Sequence, residues 1–308
     1  MPAPFKTTPS AAPRIFQRDG RPLLRARDLV GLRRSTLSDV YYFLIAAKWR
    51  VVLAIYGAAY LLTNALFALV YRWTGGILNA RPGSFADAFF FSAETLGTIG
   101  YGVMAPQSLP AHLTATLENM VGLLGLATFT GITFAKFSRP KARVIFSDVA
   151  IIAPRNGLPT FSFRVANERV NHVVQARLQV TLVRWELTTE GERFRRMVDL
   201  SLARSESPAF VLTWLALHPI DETSPLHGVT PESFAEGKME LLVIFTGWDE
   251  TLAQTIYARQ SYVAGELRWN HRFRDVIQLA ADGSREIDYG RFHETEALPA
   301  AAVRAASG

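Results

Sequence analysis

The sequence has no cysteine. That absence excludes disulfides, thiolate nucleophiles and cysteine metal sites, and neither half of the chain needs an oxidising compartment. Histidine is scarce: the six, at 112, 172, 218, 227, 271 and 293, show no metal-ligand spacing, and no nucleophile motif or phosphate loop accompanies them. An enzyme is therefore the least supported reading, and no cofactor is expected. A signal peptide is also missing from the pattern. The first long apolar run begins only after some fifty residues, many of them basic, and continues to full spanning length.

What is present divides into two parts. At 308 residues the chain has room for two domains, and 49% hydrophobic residues with a positive mean hydropathy fit a chain part membrane and part soluble. The net charge of +6 could suggest nucleic acid, but the basic residues gather beside the apolar segments. That distribution favours lipid headgroups, and no nucleic-acid partner is expected.

Residues 1–36 are rich in Pro, Arg and Ala without periodicity and read as a flexible basic arm. From Leu37 the apolar residues Val40, Tyr41, Leu44 and Ile45 recur at helical spacing. This predicts an amphipathic helix over 37–48, lying in the membrane interface because Lys48-Trp49-Arg50 suits the headgroup layer. Val51–Tyr71 is long enough to cross a bilayer, and a second span is expected over Leu109–Phe137. That span contains Glu118, and a lone acid in a spanning helix faces protein or water rather than lipid. Ten Lys or Arg occupy positions 1–50, whereas Arg81 alone lies between Trp73 and Ala111, so both termini are placed in the cytoplasm.

Between the spans, Ser84 opens a short apolar helix over 84–97, capped with an acid three residues on. It leads into Thr98-Ile99-Gly100-Tyr101-Gly102. Loops of this kind are known potassium filters, so the match is to an established device rather than a derivation. The chemistry is simple to state. Carbonyl oxygens from four copies can point at one axis only if alternate residues adopt backbone angles forbidden to most side chains, and Gly100 and Gly102 supply that freedom. Ile99 and Tyr101 would then point away from the axis, the Thr98 hydroxyl would serve as innermost ligand, and K+ would sit among the oxygens of Thr98, Ile99, Gly100 and Tyr101. A tight turn or a nucleotide-binding glycine loop is the alternative, but that loop needs a strand before it and a helix after it.

Beyond Pro140 the composition becomes that of an all-β domain. Strands are expected at Val144–Ile152, Thr160–Val165, Ala176–Leu187, Phe210–Ala216, Leu241–Phe245, Tyr262–Arg268 and Asp275–Leu279. Turn signals stand at Asn156-Gly157, Glu190-Gly191 and Asp282-Gly283. The expected fold class is a two-span α-helical pore domain over 49–138 followed by an immunoglobulin-like β-sandwich over 139–292, with a disordered tail over 293–308.

Two spans flanking a pore helix and this filter, then a basic linker and a β-sandwich, resemble the inwardly rectifying potassium channels, in particular their prokaryotic branch, KirBac. The soluble half makes the resemblance specific, through Phe163-Arg164-Val165-Ala166-Asn167 and through His218-Pro219-Ile220-Asp221-Glu222-Thr223-Ser224-Pro225-Leu226. It implies a homotetramer in a cell inner membrane, and the geometry asks for the same assembly, since one loop cannot surround an ion.

The resemblance also assigns roles. On the second span Gly122, Leu126, Thr130 and Phe134 recur every four residues and would line a cavity, with Phe134 at the inner bundle crossing and Gly122, Gly125 and Gly131 as candidate hinges. Leu126 stands where strongly rectifying relatives carry an acid that attracts polyamine or Mg2+ blockers, which implies weak rectification here. Glu94 matches a glutamate that supports the filter by pairing with a basic residue, but the partner position is Met104, so Glu94 is expected to be held by amides, hydroxyls or water. A second, cytoplasmic gate is implied at the loop Ala253-Gln254-Thr255-Ile256-Tyr257-Ala258, for which a strand with its connecting turn is the plainer reading. Lys48, Trp49, Arg50, Lys136, Arg139, Lys141 and Arg143 match basic clusters that bind anionic or phosphoinositide lipid headgroups, with binding expected to close the channel. Two other functions fit parts of the sequence: a weakly selective cation channel, and a membrane-anchored β-sandwich sensor or adaptor. The second leaves the pore helix and filter unexplained.

Overall fold

The computed structural model describes residues 36–139, 142–169, 171–279 and 285–299. The basic arm, Lys141, the Asp282-Gly283 turn and the tail from residue 300 lie outside the described residues. The chain divides between Arg139 and Pro140 into a helical unit and a β unit.

Long apolar runs without an interior proline dictate the helical unit. Helix α1 (Thr36–Ala46) is followed by α2 (Trp49–Thr74), α3 (Phe85–Leu96) and α4 (Leu109–Phe137). Helix α2 outruns the expected span at both ends, because Trp49, Arg50 and Arg72 continue the helix into amphipathic ends. Serines open the next two helices: the Ser84 hydroxyl accepts from the Asp87 N–H, and Ser108 accepts from the Ala111 N–H. Only 17% and 6% of the apolar windows of α2 and α4 are buried within the protomer. A core helix of a soluble protein would be mostly covered, so these faces suit a membrane-spanning helix. Strand β1 (Ile77–Leu78) pairs antiparallel with β2 (Ala105–Pro106) and fastens the linker after α2 to the chain that follows residues 98–102.

The β unit is a sandwich of two five-stranded sheets. One contains β6 (Val173–Leu187), β7 (Arg193–Leu200), β8 (Glu206–Phe210), β10 (Glu240–Asp249) and β11 (Gln254–Val263). The other contains β3 (Val144–Phe146), β4 (Ala150–Arg155), β5 (Leu158–Asn167), β9 (Thr213–Pro219) and β12 (Leu267–Trp269), the last parallel to β4. Period-two alternation sends Phe161, Phe163 and Val165 of β5 and Leu178, Val180 and Leu182 of β6 into one core. A short helix, α5 (Pro231–Glu236), adds Phe234 to it.

Several expectations are corrected here. Val144–Ile152 is two strands, because Ser147 leaves the ladder to bond the Arg164 main chain in both directions. Tyr262–Arg268 is broken by a turn of 3₁₀ helix at Ala264–Glu266. The early tail is ordered: β16 (Thr295–Ala297) pairs with β13 (His271–Phe273), and Arg272–Glu296 and Arg274–Glu294 ion pairs cross that ladder. A further hairpin joins β14 (Ile277–Leu279) to β15 (Arg285–Ile287).

The two sequence hallmarks of the β unit are structural devices. The buried Arg164 guanidinium donates to the Phe292 carbonyl at 3.4 Å and to the Arg274 carbonyl, and stacks on the Phe273 ring. It clamps the C-terminal segment to the sandwich. His218 is 3% exposed. Its Nδ1–H donates to the Ser201 carbonyl at 2.7 Å, which leaves Nε2 to accept from the Ser224 hydroxyl at 2.7 Å. Burial favours the neutral ring and holds its pKa below the ordinary histidine value, against the opposing pull of the Ser201 bond and the Asp221 charge. The unfolded chain binds the proton first as pH falls, so the stabilisation is complete above about pH 6.5 and is lost below it, toward the depressed folded pKa. Thermal melts of the full-length protein should therefore show the β unit losing stability between neutral and mildly acidic pH. His218→Asn, which keeps a donor toward Ser201, should flatten that slope; an equal slope in the variant would assign it to another group.

Candidate functional site

The segment expected to form a filter, residues 98–102, begins where α3 ends. The Gly97 N–H bonds the Ala93 carbonyl, Thr98 N–H the Thr95 carbonyl and Ile99 N–H the Glu94 carbonyl, at 3.0, 3.1 and 2.8 Å. These three bonds satisfy the last carbonyls of the helix and set the direction in which the chain leaves it. From there the sign of φ alternates: Thr98, Gly100 and Gly102 have φ of 54°, 62° and 81°, while Ile99 and Tyr101 do not enter the positive region. Alternation of this kind turns successive carbonyls to the same side, as a row of ion ligands requires. Two of the three positions are glycines, for which such angles cost little. Thr98 is the exception, a β-branched residue held in a sparsely populated region at roughly 1–3 kcal/mol. Sequence reasoning named Thr98 for its hydroxyl but did not foresee its positive φ, because nothing in a threonine announces a left-handed backbone.

The chain after Gly102 is tied down too. The Asn79 amide donates to the Val103 carbonyl at 2.7 Å, and the Gln107 N–H bonds the Gly76 carbonyl at 2.7 Å. At the entrance to α3, Arg81 grips Asp87 through its guanidinium and its own N–H, holding that carboxyl well below the usual carboxylate range. Ile99 and Tyr101 remain exposed in the single protomer, as do the glycine Cα atoms, which have no neighbour within 4 Å of an added Cβ.

Glu94 is half-buried, and among the described residues no side-chain or main-chain donor bonds its carboxylate. Met104, in the position of the missing basic partner, packs against a cluster of Ala68, Tyr71, Ala88 and Phe91. The carboxyl that is held belongs to Glu118, fully buried on α4 and facing protein. Its Oε2 accepts from the Tyr71 hydroxyl of α2 at 2.7 Å, and its Oε1 lies against the Ser92 hydroxyl of α3. Ser92 also contacts Asn64 Oδ1 of α2 at 3.0 Å, and Asn64 Nδ2 donates to the Tyr60 carbonyl at 2.8 Å. A discoverable signal was present: Asn64, Ser92 and Glu118 are polar residues in apolar helices, and each such group demands a partner.

One turn further along, Gly122 lies against the end of α3, where a Cβ would come within 2.4 Å of the Leu96 carbonyl oxygen. The pairs Ser92–Glu118 and Leu96–Gly122 thus run in step, four residues apart on both helices. Gly122 has a packing reason to be glycine, and α4 is one continuous helix through all three candidate hinges. Along the same stripe Leu126 and Phe134 are uncovered in the protomer, at 60% and 73% exposure, and Thr130 is exposed beside them.

The expected lipid cluster is only partly free. The Lys136 ammonium is engaged by the carbonyls of Leu44, Ile45 and Ala47 at the C-terminal end of α1 and lies 5.4 Å from the Trp49 ring centroid. An ammonium has three protons and a helix end presents bare carbonyls, so the match is natural. Trp49 in turn packs on Phe137 at 4.9 Å. Lys48, Arg50 and Arg139 are exposed, and Arg143 of the β unit pairs loosely with Glu168 at 3.6 Å. The expected gate loop is likewise mostly strand: Gln254–Ala258 form the first half of β11, paired with β10 from Asp249↔Gln254 onward, and only Ala253, at φ 49°, sits in the turn. Ladder pairing there runs to the last residue before the turn and leaves no loop to spare.

Comparison with known proteins completes the description. Residues 16–140 match the family described as the inward rectifier potassium channel transmembrane domain, and residues 144–307 match the inward rectifier potassium channel C-terminal domain. The chain is 43% identical to the inward rectifier potassium channel Kirbac3.1 of Paramagnetospirillum magnetotacticum, over 93% of this chain and 97% of that one. It is 32% identical to the inward rectifier potassium channel 18 of Homo sapiens, over 85% of this chain and 66% of that one.

Proposed function

The chain belongs to the inward rectifier potassium channels, and from that premise we propose that it conducts K+ passively as a homotetramer, through a filter formed by residues 98–102. The observation that carries the reading is the alternation of positive φ at Thr98, Gly100 and Gly102, fastened at both ends to the same helical unit. Four copies around an axis would present rings of carbonyl oxygens in place of the ion's water shell, with Thr98 hydroxyls innermost. Binding at several adjacent sites lets ions displace one another and pass.

In this reading Leu126, Thr130 and Phe134 face the axis once the tetramer forms, and four Phe134 rings close the inner mouth by excluding water. The turn and strand at 253–258 would ring the same axis as a second constriction. Lys48, Arg50 and Arg139 are the basic groups left for anionic lipid, with Arg143 and Lys141 as further contributors. The channel would sit in the cell inner membrane with both termini cytoplasmic, as the crowding of basic residues at one side of both spans supports.

The test is uptake into proteoliposomes of the purified protein. Potassium or rubidium uptake should exceed sodium uptake by at least about a hundredfold and be blocked by barium; equal sodium and potassium flux would replace the reading with a weakly selective cation channel. Repeated with phosphoinositide in the bilayer, uptake should fall, and an unchanged rate would remove lipid closure from the proposal. Internal spermine should block weakly, and strong block abolished by substitution of Leu126 would contradict the assignment of that position.

A further inference from the structure

The polar contacts around Glu118 do not balance if its carboxyl is ionised. Three contacts in the chain need a hydroxyl hydrogen each: Tyr71 to Glu118 Oε2, Glu118 Oε1 to Ser92, and Ser92 to Asn64 Oδ1. The two hydroxyls supply two hydrogens. Turning the Asn64 amide over does not help, because its Nδ2 is committed to the Tyr60 carbonyl, which can only accept. The third hydrogen must come from the carboxyl. With it the chain closes: Tyr71 donates to Oε2, the acid donates from Oε1 to Ser92, and Ser92 donates to Asn64. Without it, a fully buried charge lies between helices, no Lys or Arg among the described residues bonds to it, and Asn64 Oδ1 loses its donor.

We propose that Glu118 is held as a neutral carboxylic acid and in that form is the positioning residue of the pore helix, bonding α3 to both spanning helices at once. Glu118 and the two groups it joins come from three different helices and all are buried. Tyr71 lies on α2, Ser92 on α3 and Glu118 on α4. Ser92 stands six residues before Thr98, with the intervening turn of α3 seated on Gly122, so the position of this side chain fixes where the filter starts. The brace takes over the task that the Glu94 position would perform if Met104 were basic. Its functional half rests on the filter reading given above; the protonation does not.

Two measurements on the full-length protein in lipid decide the matter. The infrared spectrum of wild type at neutral pH, minus that of Glu118→Gln, should contain a carboxylic acid C=O stretch; its absence would show an ionised Glu118 and overturn the proposal. Flux selectivity supplies the second readout. A glutamine reproduces both links, donating to Ser92 and accepting from Tyr71, so Glu118→Gln should keep potassium-over-sodium uptake within about twofold of wild type. Glu118→Ala leaves the buried Tyr71 hydroxyl without its acceptor and Ser92 without the donor that Glu118 supplied, and should lower that ratio by about tenfold or more, with Tyr71→Phe falling between. Glutamine as damaging as alanine would overturn the positioning role. Should the alanine variant fail to fold, the glutamine variant and the infrared band still decide. A wild-type protein that does not discriminate the two ions would overturn the filter reading instead, and the band would continue to report on Glu118 alone.

Discussion

Gly100→Ala should sharply lower potassium selectivity while leaving the protein folded. At φ 62° the residue sits where an L side chain costs roughly 1–2 kcal/mol, and the assembly would carry that strain four times around one axis. Space is not the difficulty, since no atom of the protomer lies within 4 Å of the added Cβ. Relief comes only by returning φ to negative values, which turns the peptide carbonyls at that level away from the axis. A ring of ligands lost in this way should reduce the potassium-to-sodium uptake ratio by at least about tenfold, the equivalent of about 1.4 kcal/mol of differential binding. Gly157→Ala is the matched control. Gly157 has φ 82° and equally open surroundings, but lies in the Asn156-Gly157 hairpin of the β unit, so its replacement should cost stability and leave selectivity intact. Unchanged selectivity in Gly100→Ala would remove residues 98–102 from the conduction path.

Gly122→Ala should destabilise the helical unit by roughly 1–3 kcal/mol, the range for forcing a methyl into a packed contact. The obstacle is a backbone carbonyl, that of Leu96, and it cannot rotate aside as a side-chain tip would. Gly125 and Gly131 have no neighbour within 4 Å of an added Cβ in the protomer. Alanine at either should leave the melting temperature of the helical unit close to wild type, or raise it slightly through better helix propensity. A hinge role gives the opposite ranking: alanine at 125 and 131 would then shift the open probability most, with Gly122→Ala melting normally. Melting temperatures and single-channel recordings of the three variants separate packing from bending.

The two long apolar helices, the helix over 85–96 and the positive φ of Gly100 and Gly102 were legible because each rests on a local rule: length of apolar run, a capping serine, a residue type that tolerates positive φ. The sandwich was legible as a class but not in its joints. Val144–Ile152 reads as one apolar run, and only the tertiary bonds of Ser147 to Arg164 divide it. Thr295–Ala297 has no strong strand signal of its own; it is ordered by the arginines of residues 272 and 274 across the ladder. Lys136 could be read from sequence as a free cation, since a charge count does not reveal which carbonyls a folded helix end will present. Asn64, Ser92 and Glu118 were visible singly. Their meeting was not, because 28 and 26 residues separate the partners in the chain.

Lys136 also makes the helical unit a closed figure. It meets the end of α1 across 91 residues of chain, so α1, α2, the filter segment and α4 form a ring whose two ends are clasped at a single ammonium. A ring transmits force differently from an open string. The Ala47–Lys48 joint is thus not the only link between α1 and the other helices; the second is at the last turn of α4, two residues from Phe134. A displacement of α1 therefore has two routes to α4, one along the chain and one straight through the Lys136 ammonium.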